Sequence, residues 1–314
     1  MISFLSRPII GSVLKVFISA LLLWGLIKYI DFNSVLTSFT HADPLFISIG
    51  LLLAFFQLVL HFFRWKYLLR LISHEITNSE VFTSLFVGFM AGFFTPAQLG
   101  EFAGRIASHP GVNKAHVIGI TIIDKLYWTA LTIIIGGTGL MIFYSTYFKE
   151  YWNPIFGYVG MFFIAAIIIV FLIPERIRTI LQLLPKKVRE HRFYEVILVI
   201  ENEFHNKNAR VLFGLTALLY SIIMIEFYFL AAAFGSVGFL DALICSASVF
   251  FVKAVILPIS FGDLGVRESA SVFFFLRVGV AAPVAFNASI VMSFANVIFP
   301  AAIGAVLVAK LKKS

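Results

Sequence analysis

Charge is scarce in this sequence. Asp, Glu, Lys and Arg supply 13% of its 314 residues, about half the share found in soluble domains, which excludes an ordinary water-soluble fold. Cys245 stands alone, so an internal disulfide and a multi-cysteine metal site are excluded as well. There is no Gly-x-x-x-x-Gly-Lys phosphate loop, no His-Glu-x-x-His pair and no paired acids in a loop, and the seven His are scattered. Nucleotide- and metal-driven chemistry therefore has no support in the motifs, and neither a metal nor a cofactor is expected. The ten-residue alternation of membrane barrel strands is missing too.

What is present is apolar. Hydrophobic residues make up 61% of the chain, and 37 of its residues are Phe, which points to an all-α polytopic membrane protein, one integral domain over 1–314. The net charge of +8 then reports orientation rather than a nucleic-acid partner.

Full spans are expected at 9–30, 44–63, 117–141, 154–173, 211–234 and 284–308. Arg64-Trp65-Lys66 reads as an interfacial anchor after the second. Two apolar runs, 81–94 and 242–257, fall short of the roughly twenty residues that cross a bilayer. Each ends at a Pro and resumes beyond a Gly-containing break, so each is read as a re-entrant hairpin of two half-helices, 81–108 and 242–278. Between the halves of the chain, 174–210 carries eight Lys or Arg and five Glu. There Phe193, Ile197, Ile200 and Phe204 recur at helical spacing, as in an amphipathic helix lying on the membrane surface.

Six spans and two hairpins place 17 Lys or Arg inside and 2 outside with both termini cytoplasmic, as the positive-inside rule requires. The hairpins then enter from opposite faces. That is an inverted repeat, the plan on which many transporters are built.

The two breaks share a pattern: Pro, three residues, Gly, an acid, three residues, Arg. The first runs Pro96, Gly100, Glu101, Arg105 and the second Pro258, Gly262, Asp263, Arg267. Pro96, Gly100, Pro258, Gly262 and Gly265 shape the breaks, whose freed N–H groups need partners that lipid does not offer. The positive end of a half-helix with Arg105 or Arg267 suits an anionic headgroup. Glu101, Asp263 and Glu268 bind the basic part of a zwitterion, pair with the Arg or carry a proton. The alternative is local: each acid caps its half-helix and bonds its own Arg at i+4.

Lys253 is weighed between phosphate binding and snorkelling. Asp124 and Lys125, adjacent and so differently directed, are expected to pair with other helices, and with Glu226 they are candidate coupling residues.

The segment Leu257 to Glu268, Leu-Pro-Ile-Ser-Phe-Gly-Asp-Leu-Gly-Val-Arg-Glu, resembles the second-hairpin motif of the transmembrane region of bacterial lysylphosphatidylglycerol synthases, a flippase-like family. Pro96, Gly100 and Glu101 match its first motif, with Arg105 one position from the common spacing. The resemblance covers nearly the whole chain. It implies residence in the bacterial cytoplasmic (inner) membrane and movement of an anionic or aminoacylated phospholipid, or of a polyprenyl-linked lipid, between leaflets, and it adds Ser260 to the binding set. Bifunctional members carry a soluble aminoacyl transferase after this region. This sequence ends at Ser314, so the expectation is a transporter rather than an enzyme. The alternatives are a membrane-embedded transferase acting on a lipid-linked substrate and a non-catalytic partner of a separate lipid or glycan synthase.

Overall fold

The computed structural model describes residues 17, 20–21, 23–95, 98–151, 153–172, 194–203, 206–255 and 264–311. Of the residues singled out above, Pro96, Pro258, Ser260, Gly262 and Asp263 lie outside this set, as do Phe193, Phe204 and half of the expected first span.

Residues 23–30 are helical. After them come α1 (Phe32–Thr40), α2 (Pro44–Ile72), α3 (Asn78–Phe93), α4 (Gly100–Ala107), α5 (Lys114–Tyr147), α6 (Pro154–Leu172), α7 (Tyr194–Glu203), α8 (Asn206–Phe234), α9 (Phe239–Val255), α10 (Val266–Arg277) and α11 (Ala282–Lys310). No strand occurs among the described residues. Four helices, α2, α5, α8 and α11, are long and apolar enough to cross a membrane. Each covers one of the expected spans, and α6 covers a fifth as a nineteen-residue helix. Large apolar side chains stand exposed along α2 (Leu45, Leu52, Phe55, Phe56) and α6 (Ile155, Met161, Phe162, Phe163), where hydrocarbon rather than water is their natural neighbour.

Short polar side chains start these helices. Asp43 accepts from the Leu45 N–H at 2.8 Å ahead of Pro44, and Asn113 accepts from Ala115 at 2.9 Å. At α3, Thr77 and Glu80 cap reciprocally: the Thr77 N–H donates to Glu80 at 2.8 Å and the Glu80 N–H to Thr77 Oγ1 at 3.3 Å. The Thr77 N–H and the Thr77 hydroxyl, which donates to the same Glu80 oxygen at 2.8 Å, hold the Glu80 carboxyl below its ordinary range, so this cap is intact at neutral pH and weakens on acidification through that lowered value. Thr77→Ala removes it and should lower stability by about 1 kcal/mol, read as the thermal midpoint in detergent.

Glycines set the close packing. Gly88 and Gly92 of α3 face Gly100 and Gly104 of α4, and a Cβ at Gly100 would stand 2.2 Å from the Ala91 carbonyl oxygen. This is the small-residue spacing that lets helices touch backbone to backbone in membranes. The same device joins the two halves of the chain crosswise. Gly304 of α11 lies on α3, where a Cβ would meet the Phe86 carbonyl oxygen at 2.0 Å, and Gly136 and Gly139 of α5 lie on α9 against Phe251 and Ala247. Both α5 and α11 carry a π-helical turn, Thr132–Gly136 and Phe294–Ile298, a feature concentrated at functional positions.

The polar loop adds one detail. Burial on α7 is deepest at Val196 and Val199, with Val199 seated over Gly119 of α5. The buried edge of α7 thus lies beside the face expected to rest on the membrane, because a residue without a side chain opens a slot in α5.

Candidate functional site

Packing α4 on α3 through four glycines leaves Glu101 and Arg105, the larger residues of α4's inner face, pressed between α3 and the helices behind it. Both are 2% exposed. Arg105 bonds Glu101 one turn back and gives Nη1 and Nη2 to Asp124 Oδ2 of α5, each at 3.1 Å. Its guanidinium lies 3.8 Å from the Trp65 ring centroid, a cation–π contact in a water-poor place. The Trp65 ring is held in turn by Nε1 donating to Ser84 Oγ at 2.7 Å.

Arg64 completes the cluster. Its Nη2 reaches Asp124 Oδ1 at 2.9 Å and the Asp124 carbonyl oxygen at 2.6 Å. Lys125 bonds Glu101 and donates to Gln98 Oε1 at 3.0 Å. Asp124 and Lys125 thus turn to different partners on other elements. Three cations and two carboxylates share one apolar interior, and the excess is positive. Lys125 is the accessible member, its side chain 33% exposed.

The interfacial-anchor reading of Arg64-Trp65 is overturned. Arg64 is 2% and Trp65 1% exposed, because α2 continues helical to Ile72 and turns both inward against α5 and α3. Trp65, Ser84 and Gln98 were also missed. For Arg64, the residue's own signal in the sequence was its charge beside a long apolar run.

A second polar group surrounds α10. Gly265, at φ 89°, caps that helix, a left-handed conformation that glycine adopts without strain. Its N–H donates to Glu268 at 2.6 Å. The other Glu268 oxygen accepts from Ser293 at 2.7 Å and Ser289 at 3.3 Å, both on α11. Arg267 is 3% exposed, and Nη1 donates to Ser293 Oγ at 3.2 Å. Its Nε is buried without a partner, and no carboxylate lies within ion-pair distance of it among the described residues. The local i+4 pair thus forms in the first motif, whereas its second-motif acid, Asp263, is outside the described set. Lys253 sits half-buried near the end of α9.

Glu226 of α8 is fully buried. Gln57 Nε2 of α2 donates to it, and Asn296 Nδ2, within the α11 π turn, donates to its two oxygens at 3.0 and 2.9 Å. Both amides were missed, although a lone Gln or Asn in an apolar span is itself a signal. Gln57 and Arg64 are seven residues apart, two helical turns on one face and about 10 Å along the axis. Helix α2 therefore connects the first cluster with the Glu226 group.

Long apolar helices around buried, cross-linked charges define a polytopic helical membrane protein with a buried ionic centre. Within that class, the chain belongs to the lysylphosphatidylglycerol synthase TM region family, whose model matches residues 12–304. It is also 20% identical over 322 positions to a UPF0104 membrane protein of Methanocaldococcus jannaschii, covering 96% of this chain and 95% of the relative.

Proposed function

We propose that the protein moves a lipid with an anionic headgroup between leaflets: an anionic or aminoacylated phospholipid, or a polyprenyl-linked lipid. The observation that carries this reading is Arg267. A buried guanidinium bonded to one serine hydroxyl and no carboxylate among the described residues lacks the partner that a buried charge needs. A phosphate is such a partner, and the planar guanidinium meets it bidentately. Ser293, already between Arg267 and Glu268, orients both.

In this reading six helices span, while α3–α4 and α9–α10 are re-entrant hairpins in an inverted repeat broken at Pro96 and Pro258, with both termini cytoplasmic. Supporting it are the shared order of elements, a 29-residue helix before each hairpin and a long helix with a π turn after it. The crosswise glycine contacts of α11 on α3 and α5 on α9 fit the same symmetry. The first cluster holds its own anion: Asp124 takes Arg64 and Arg105 as a phosphate would. A headgroup arriving there displaces Asp124, with Glu101 and Lys125 exchanging partners at the accessible edge.

The test is transport by pure protein in liposomes containing labelled phosphatidylglycerol, its lysyl ester or a polyprenyl phosphate. Wild type should move one of these selectively, and Arg267→Ala should slow it at least tenfold. No movement of any lipid by folded protein refutes the reading.

A further inference from the structure

We propose that Glu226 is a proton-binding site linked to the anion site at Arg267, so that the protein takes up a proton when an anionic headgroup docks. This rests on the lipid-transport reading above.

The argument begins with what surrounds the carboxylate. From α2 comes neutral Gln57; His61, one turn further on, turns to Phe89 and Trp128. From α11 comes neutral Asn296. On α5, Asp124 and Lys125 are engaged in the first cluster, and α6 carries no charged residue. The charges of α9 are Asp241 at its start, bonded to Tyr147, and Lys253 near its end. On α10, Glu268 is taken up by Gly265, Ser289 and Ser293. Arg267 is joined to this site through α11: it donates to Ser293, and Asn296, three residues further along and so on the same face one turn away, donates to Glu226.

A phosphate bound to Arg267 cancels its charge and leaves Glu226 a buried anion with, among the described residues, amides alone bonded to it. An uncompensated buried charge costs several kcal/mol, so the carboxylate is neutralised by a proton from water and releases it when the headgroup leaves. The amides suit both states. They donate N–H to the carboxylate, and half a turn of either presents its carbonyl oxygen to a carboxylic O–H. With N–H groups facing the carboxylate, the oxygen cage that a hard metal cation needs is lacking. Asn296 is half-buried and sits on the π turn of α11, which places the route for the proton at a break in helix regularity.

The linkage is measurable without lipid. Infrared spectra of the pure protein are titrated with acid, and the protonated-carboxyl stretch of Glu226 is assigned by its loss in Glu226→Gln. Arg267→Gln removes the charge while keeping a donor for Ser293, and it should move the midpoint of that band upward by about one pH unit or more. Arg267→Lys should leave the midpoint near that of wild type. An unmoved midpoint in Arg267→Gln, or no titrating band lost in Glu226→Gln, overturns the proposal. Should Arg267→Gln fail to fold, wild type with added phosphatidylglycerol must show a stronger band than with phosphatidylcholine at the same pH, and equal bands overturn it. Intact linkage with no lipid movement defeats the transport reading instead, and movement without linkage defeats this one.

Discussion

Asp124→Ala should be among the most damaging single substitutions in the protein. Asp124 is the shared partner of Arg64 and Arg105, and its removal strands Arg64 and leaves Arg105 with Glu101 alone, both guanidinium groups being 2% exposed. Breaking a buried pair from one side costs about 3–5 kcal/mol, and here two pairs break together. Glu101 then serves Arg105 and Lys125 with no help. The measurement is unfolding in mixed micelles by denaturant titration. Adding Arg64→Met to Asp124→Ala should recover part of the loss, since one stranded cation is replaced by an apolar chain of similar length. If the double variant is no more stable than the single one, the cluster is not held by this charge balance.

The second large effect concerns shape. Gly304→Val places a Cβ 2.0 Å from the Phe86 carbonyl oxygen and 2.7 Å from the Met90 Cβ. The obstacle is largely backbone, so no rotamer change relieves it and α11 must leave α3. A loss of about 3 kcal/mol or more is expected, seen as a collapse of the monodisperse peak in size-exclusion chromatography. Gly214→Ala is the contrasting case. Nothing lies within 4 Å of a Cβ at that position in α8, and alanine should stabilise the helix by about 0.5–1 kcal/mol. Equal behaviour of the two variants would show that α11 and α3 do not meet as described.

Much of the fold was legible because its cause is local. The apolar runs at 44–63, 117–141, 211–234 and 284–308 each lie within a helix of the structure. The break near 96 announced itself through Pro and Gly, and the helix before it ends at Phe93. Asp124 and Lys125 diverge as adjacent helical residues must. The Glu101–Arg105 contact follows from i+4 spacing.

The partners beyond one turn were not legible. Arg64 meets an acid sixty residues away, Gln57 one 169 residues away, and no periodicity encodes such distances. Arg64 was misread because beside Trp65 and Lys66 it has the composition of a headgroup anchor. Its burial depends on α5 and α3 closing over α2, and that depends on glycines whose role appears only when the facing backbone is known.

The sequence by itself determined the solvent of this protein and the positions where its helices break, since transfer of apolar residues into hydrocarbon and the backbone limits of Pro and Gly act residue by residue. Only the tertiary structure decided which cation faces which anion: Arg105 enclosed by Asp124, Glu101 and Trp65, and Arg267 meeting, among the described residues, a serine and no carboxylate. Charge pairing falls off over a few ångströms, and those ångströms are set by how closely α3, α4, α5 and α11 pack.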